Sequence, residues 1–222
     1  MSLRDNIIHE SQKLFSLNGF LNTGINDIIR AAGTSKGGFY NHFCSKEDLF
    51  VEVLAESQSI WRKMVLTSVS EIESPTGKII QILKNYRDRY LKDTENFPGG
   101  CIFITFSVEL DDTRPHLVKE VHEGFEGFKS LLKRLLDDAV ELGELPADLN
   151  TTTVTEMLFT GMLGASVLYG VYKSMSTLDC SIDSLIDYVN MLSNKGDLIN
   201  HVLHNVEPLD IPEDYITAAI EG

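Results

Sequence analysis

AAGTSKGGFYNHFCSKEDLF, residues 31–50, decides how the chain is to be read. Gly37 and Gly38 stand side by side just before Phe39 and Tyr40. Two adjacent glycines inside a helix cost about 2 kcal/mol relative to alanines, so the pair calls for a purpose other than helix stability. Gly33 is a helix stop, Thr34–Ser35 can cap the helix that follows, and Ser45 with Asp48 has the form of a capping box. Working outward, Ile7, Ile8, Ser11, Leu14, Phe15 and Phe20 predict an amphipathic helix ending near residues 18–19. Thr23–Gly24 then precede Ile25, Ile28, Ile29 and Ala32, a short helix closed by Gly33. Three short helices, with a tight turn between the second and third, form a helix-turn-helix pattern.

That pattern gives the glycines a reason. A helix laid in the major groove of DNA brings its backbone close to phosphates, and a missing Cβ permits the approach. The Ser35 hydroxyl and the first free N–H groups of the helix suit a phosphate, and Lys36 adds charge. Tyr40, His42 and Lys46 offer donors of graded length along one edge, while Phe39 and Phe43 anchor the helix from beneath.

Residues 23–49, TGINDIIRAAGTSKGGFYNHFCSKEDL, resemble the DNA-binding head of TetR-family transcriptional regulators. The A-A-G-x-S-K-G turn, the F-Y-x-H-F helix and the S-K-E-x-L start of the next helix carry the likeness. It covers about residues 5–50; the remainder fits the family's variable ligand domain by size and class. There, Gly100–Cys101 with Glu109, and GELPADL at 143–149, are similar to one common subgroup. The resemblance implies DNA-backbone contacts from Thr23, Ser35, Lys36, Tyr40, His42 and Lys46. It implies base-edge contacts from Thr34, Gly38 and Asn41. The position of Gly38 often bears Thr, Ser or Ala in the family, and here it bears no side chain. Direct readout then leans on Thr34 and Asn41, with DNA shape supplying the rest.

The totals agree with two parts of different duty. Of the 222 residues, 43% are hydrophobic and only 6 are proline, so most of the chain should fold around a sizeable core. The formal charge is −14, yet residues 1–50 balance Arg4, Lys13, Arg30, Lys36 and Lys46 against Asp5, Glu10, Asp27, Glu47 and Asp48. Contact with a polyanion is therefore confined to the head. Cys44, Cys101 and Cys180 lack the spacing of a disulfide frame or zinc site and are expected as small buried side chains of a reduced, cytoplasmic protein. Apolar stretches such as residues 162–172 are too short and glycine-rich to span a bilayer, and the start of the chain does not read as a secretory signal, so no membrane partner is expected. No Walker loop, HExxH or Gly-x-Ser-x-Gly appears, which argues against an enzyme, and no cofactor or metal site is expected. His201 and His204 lack a third ligand.

The fold class is all-α: a three-helix DNA-binding head at 1–48 and a larger helical ligand-binding and dimerisation domain at 49–222. Expected helices run over 45–70, 79–90, 101–110, 115–142, 151–172 and 182–193, with a loop at 96–100 and a short helix or loose tail from 197. The candidate homodimer interface is 151–172 with 182–193, where Gly161, Ala165, Ser166 and Gly170 repeat small residues at four-residue spacing. A ligand cavity among the middle helices draws its candidate walls from Phe97, Phe103, Phe106, Phe125, Phe128, Met162, Tyr169 and Tyr172, with Glu109 and His122 as polar groups. Its occupant would be an apolar or mildly cationic organic molecule that splays the paired heads and lifts a repressor from a palindromic operator. The competing reading is a helical ligand-binding or interaction protein whose head has lost DNA binding.

Overall fold

Helix signals at both ends of each apolar-periodic segment translate into helices with real caps. The structure, a computed structural model, describes residues 2–110 and 114–193, so the expectations for the tail and for His201 and His204 lie outside the described residues. α1 spans Leu3–Asn22, opened by Ser2, whose hydroxyl accepts from the Asp5 N–H at 3.2 Å while Asp5 accepts from the Ser2 N–H at 3.1 Å. Its ladder breaks at Gly19, where φ is 79°, and one further turn carries Phe20 into the core. α2 is Ile25–Ala31, with Gly33 left-handed at φ 61° just beyond it. α3 is Lys36–Tyr40, capped by Ser35, and α4 is Lys46–Val65, capped by Ser45. The capping carboxylate of Asp48 accepts from the Cys44 N–H at 2.9 Å, one residue before the expected partner. α4 stops at Val65 rather than running to residue 70, because Ser68 turns left-handed before a short 3₁₀ turn at Val69–Glu71.

The body follows with α5, Pro75–Asn85, where a continuous helix to residue 90 was expected. Instead Tyr86–Tyr90 forms a π-helical turn closed by the Leu91 N–H on the Tyr86 carbonyl at 2.9 Å. Such single turns insert one residue and re-aim side chains, often at functional sites. α6 is Ile102–Glu109, α7 Pro115–Glu141, α8 Thr151–Tyr172 and α9 Met175–Ser193, the last beginning earlier than residue 182. Glu144, beyond α7, accepts from Ser74 Oγ, Thr76 N and Thr76 Oγ1 at 2.8, 2.9 and 2.6 Å, tying that corner to the start of α5.

One core runs through head and body. Phe15 of α1, Phe50 of α4 and Phe106 of α6 are fully buried, with ring centroids 6.1 Å apart for Phe15–Phe106 and 4.6 Å for Phe50–Phe106. α8 packs on α7 and α9. A Cβ on Gly161 would press on Leu185 Cδ2 at 2.7 Å, so that glycine serves the α8–α9 contact within the chain, while Ala165 is buried and Ser166 is bonded to the Tyr86 hydroxyl. The opposite face of α8 leaves Met157, Val167, Leu168, Val171 and Tyr172 exposed. By length and composition alone, α8 could cross a membrane, with a mean hydropathy of 1.3. Cys44 and Cys180 are exposed on outward faces, so these two are not the buried fillers expected, while Cys101 packs partly buried against the core.

Candidate nucleic-acid interface and ligand cavity

α3 is pinned from one side and bare on the other. Phe39 and Phe43 are 0% and 1% exposed, while Ser35, Lys36, Gly37, Tyr40, Asn41 and His42 are exposed and Thr34 and Gly38 half-exposed. Lys36 has no ion-pair partner among the described residues, unlike Arg4 and Arg30, which pair with Glu52 and Asp27. A Cβ built on Gly37 would find only Ser35 Oγ, at 3.9 Å, and its backbone does not need positive φ. Nothing among the described residues asks for glycine there.

Two expected contacts fall elsewhere. Thr23 is 1% exposed and its hydroxyl donates to the Gly19 carbonyl at 2.6 Å, so its side chain closes the broken end of α1 instead of facing a phosphate. The Lys46 ammonium donates to the carbonyls of Phe20 and Thr23 at 2.8 and 3.0 Å and lies 4.4 Å from the centre of the Phe20 ring. The last carbonyls of a helix need donors, and Lys46 supplies one. Burial pushes its pKa below the ordinary lysine range, with the charge of Arg114 adding to the shift.

The body grips the same end of α1. Glu109 accepts from the Phe20 N–H at 2.6 Å, in space that Gly19 leaves open. Gln12 Nε2 donates to the Asn96 carbonyl at 3.3 Å, the Gly99 N–H donates to Ser16 Oγ at 2.9 Å, and Ser16 Oγ donates to the Gly100 carbonyl at 3.3 Å. At the start of α4, Glu47 meets His116 Nε2 at 3.0 Å and Arg114 Nε at 3.2 Å. The His116 hydrogen bond first, then that of Arg114, holds the Glu47 carboxyl below its usual range.

A cavity of about 200 Å³ opens among α4, α7, α8 and the π turn. α4 contributes Gln58, Trp61, Arg62 and Leu66. Trp61 meets Phe128 edge-on with centroids 4.7 Å apart, Phe128 is tilted against Phe159 at 6.2 Å, and Phe159 meets Phe125 edge-on at 5.4 Å. Phe103, Phe125, Phe128 and Met162 take the wall positions expected from sequence. The other candidates do not line it. Phe106 and Phe97 are buried against Phe50 and Tyr90, Glu109 is taken by the head, His122 is exposed on α7, and Tyr169 and Tyr172 lie beyond the cavity on α8. The α4 residues and Tyr86 escaped sequence reasoning; the chain's single tryptophan, on the helix joining head to body, was the available signal.

The inner wall is uncharged. Burial holds the Tyr86 hydroxyl, bonded to Ser166, and the Tyr90 hydroxyl well above the ordinary tyrosine pKa. It also raises the Cys101 thiol, which accepts from Tyr90 at 3.3 Å. Arg62 and Glu123, both exposed, put one charge of each sign at the rim.

Comparison with known proteins agrees with this geometry. A family model described as bacterial regulatory proteins, tetR family, matches residues 7–53. One described as tetracyclin repressor-like, C-terminal domain, matches residues 75–185, half of the chain. The chain is 26% identical over 178 residues to the HTH-type transcriptional repressor DhaR of Mycobacterium sp. (strain GP1), covering 80% of this chain and 87% of that protein. It is 27% identical over 163 residues to the HTH-type transcriptional regulator LmrA of Bacillus subtilis (strain 168), covering 72% and 84%. Its fold matches the crystal structure of a TetR transcriptional regulator from Chloroflexus aurantiacus J-10-FL with a TM-score of 0.78 at 25% identity, over 85% of this chain and 94% of that one.

Proposed function

Because the chain belongs to the TetR family, as a ligand-responsive DNA-binding transcriptional regulator, we propose that it is a repressor released from a palindromic operator by a small aromatic effector. The observation that carries this reading is α4. Its first turn sits beside the exposed α3, and its later turns supply Gln58, Trp61 and Leu66 to the cavity wall. A rigid helix with one end at each site converts a change in cavity shape into a tilt of the head. The sign of regulation follows DhaR, a transcriptional repressor.

DNA is held by Ser35, Lys36, Tyr40 and His42, and base edges are met by Thr34 and Asn41. A single head touches too few base pairs to specify a site, so two copies pair through the exposed face of α8 and neighbouring α9 and present two recognition helices about 34 Å apart. The head at 1–48 and the body at 49–222 act as separate duties on one core, with α1 and α4 as the bridges. A regulator of DNA works where the DNA is, in the cytoplasm.

DNA selected from a random pool is retarded by the protein, and the affinity falls steeply with salt. Lys36→Ala with Tyr40→Phe weakens it at least ~10-fold and lowers the salt slope by about one per head, with no loss of melting temperature. A double variant that binds as tightly as the parent, with the same slope, rules out this face. Loss of salt dependence altogether would instead favour a carrier that no longer binds DNA.

The effector follows from size and charge. An apolar cavity of about 150 Å³ accommodates benzene, so 200 Å³ suits one or two fused rings. The inner wall offers an ammonium ion aromatic faces but no carboxylate, and a cation–π attraction of about 1–2 kcal/mol does not offset its lost hydration, so a neutral molecule is selected. Indole or 2-naphthol at 100 times Kd raises stability by about 2.7 kcal/mol, read as a shift in melting temperature. Tetraethylammonium gives none; the reverse ranking refutes a neutral aromatic effector.

A further inference from the structure

Gly38 is a glycine without a conformational reason. It lies in ordinary helical backbone, outside the positive-φ positions. No backbone atom would obstruct a side chain there: a built Cβ meets Leu3 Cδ2 at 3.6 Å, Ser35 Oγ at 3.5 Å and, in direct collision, the hydroxyl of Thr34. That hydroxyl has no hydrogen-bond partner among the described residues, and Thr34 is half-exposed. The Thr34 backbone is fixed, its N–H donating to the Ile29 carbonyl at 3.0 Å. Only rotation about χ1 can move the hydroxyl, and that means a jump to another staggered well.

From this exclusion we infer that Gly38 is glycine in order to seat the Thr34 hydroxyl over the helix, which makes positions 34 and 38 one specificity-determining unit of the DNA-reading face. The inference rests on the DNA-binding reading above and deepens it. Beside Asn41 at the end of the helix, the half-site is read from the turn before it. A threonine there brings a hydroxyl that donates or accepts and a methyl that can meet the thymine methyl. Positions 34 and 38 therefore read as one unit, because a side chain at 38 expels the group that does the reading.

The test is selection from a random DNA pool with parent, Thr34→Val, Gly38→Ala and the double variant, followed by sequencing and competition titration. Thr34→Val keeps shape and removes only the hydroxyl, and melting curves and affinity for an unrelated duplex monitor the fold. The parent is expected to prefer one base pair per half-site by about tenfold over its alternatives. Thr34→Val and Gly38→Ala each lose that preference at the same base pair, and the double variant loses no more than either alone. Gly38→Ala keeping the parental preference, or changing a different base pair, overturns the inference, as does Thr34→Val keeping it. If the parent retains no DNA at all, the DNA-binding reading falls and this inference with it; if the parent selects a site and the variants fail to converge, only this inference falls.

Discussion

Gly99→Ala lowers the melting temperature by about 6–12 °C, the shift that roughly 3 kcal/mol produces in a chain of this size. A Cβ at position 99 would coincide with the Ser16 carbonyl of α1, with Leu17 N at 2.8 Å. All of these are backbone atoms, so no side chain can rotate to make room. The loop must lift from the helix, and the lift breaks three hydrogen bonds, Gln12–Asn96, Gly99–Ser16 and Ser16–Gly100. Each is worth about 1 kcal/mol, and separation leaves buried polar groups unpaired. Gln12 and Ser16 are 0% and 4% exposed, so their groups have no water to fall back on until the contact opens fully. Gly127→Ala is the control. Its Cβ meets nothing within 4 Å and it lies inside α7, where alanine in place of glycine adds about 1 kcal/mol. Opposite shifts in the two variants locate the effect in the α1–loop contact; equal melting temperatures for Gly99→Ala and parent mean that α1 does not rest on the loop. The same loop leads into Cys101 at the cavity edge, so a Gly99→Ala protein assayed below its melting range also responds less to effector.

That contact marks the limit of what the sequence discloses. The head was legible because its signals are local: Gly33 stops α2, Ser35 caps α3, Ser45 caps α4, and Phe39 and Phe43 fall on one side of a short helix. The body's helices were legible from periodicity and punctuation, including α6, whose apolar run could pass for a strand. Long-range partners were not legible. Glu109, which reads as a polar group in an apolar segment, is spoken for by a backbone N–H 89 residues away, at Phe20. Lys46 stands where the family motif puts a phosphate contact, and the break at Gly19 turns three carbonyl-bearing residues toward it. Of the aromatic candidates, Phe106 and Phe103 sit three apart on α6, and only packing decides that the first fills the core and the second reaches the cavity. The π turn at Tyr86 re-aims that side chain without leaving any mark in the apolar pattern.

Val167→Asp with Val171→Asp converts the protein to a monomer in sedimentation equilibrium and lowers operator affinity at least ~100-fold, the scale on which linked binding exceeds single-site binding. α8 is apolar on two sides. Val154, Leu158, Met162 and Ala165 face the core, while Val167 and Val171 are 47% and 64% exposed, one turn apart, beside Leu168 and Met157. A folded chain in water rarely leaves such a stripe bare. Gly164, on the outward side, has nothing within 4 Å of a built Cβ, so a second helix can come close there. A two-fold interface uses the same patch twice, so a residue that meets another across it is met in return, and the four carboxylates introduced crowd one seam. The substituted positions lie outside the core, which keeps the monomer folded, and each head keeps its α3 edge. Non-specific DNA binding then persists with about half the salt slope, because one head releases half the counterions of two. A doubly substituted protein that remains a dimer at micromolar concentration and binds its operator as tightly as the parent would move the interface off this helix and leave the exposed stripe of α8 without a partner.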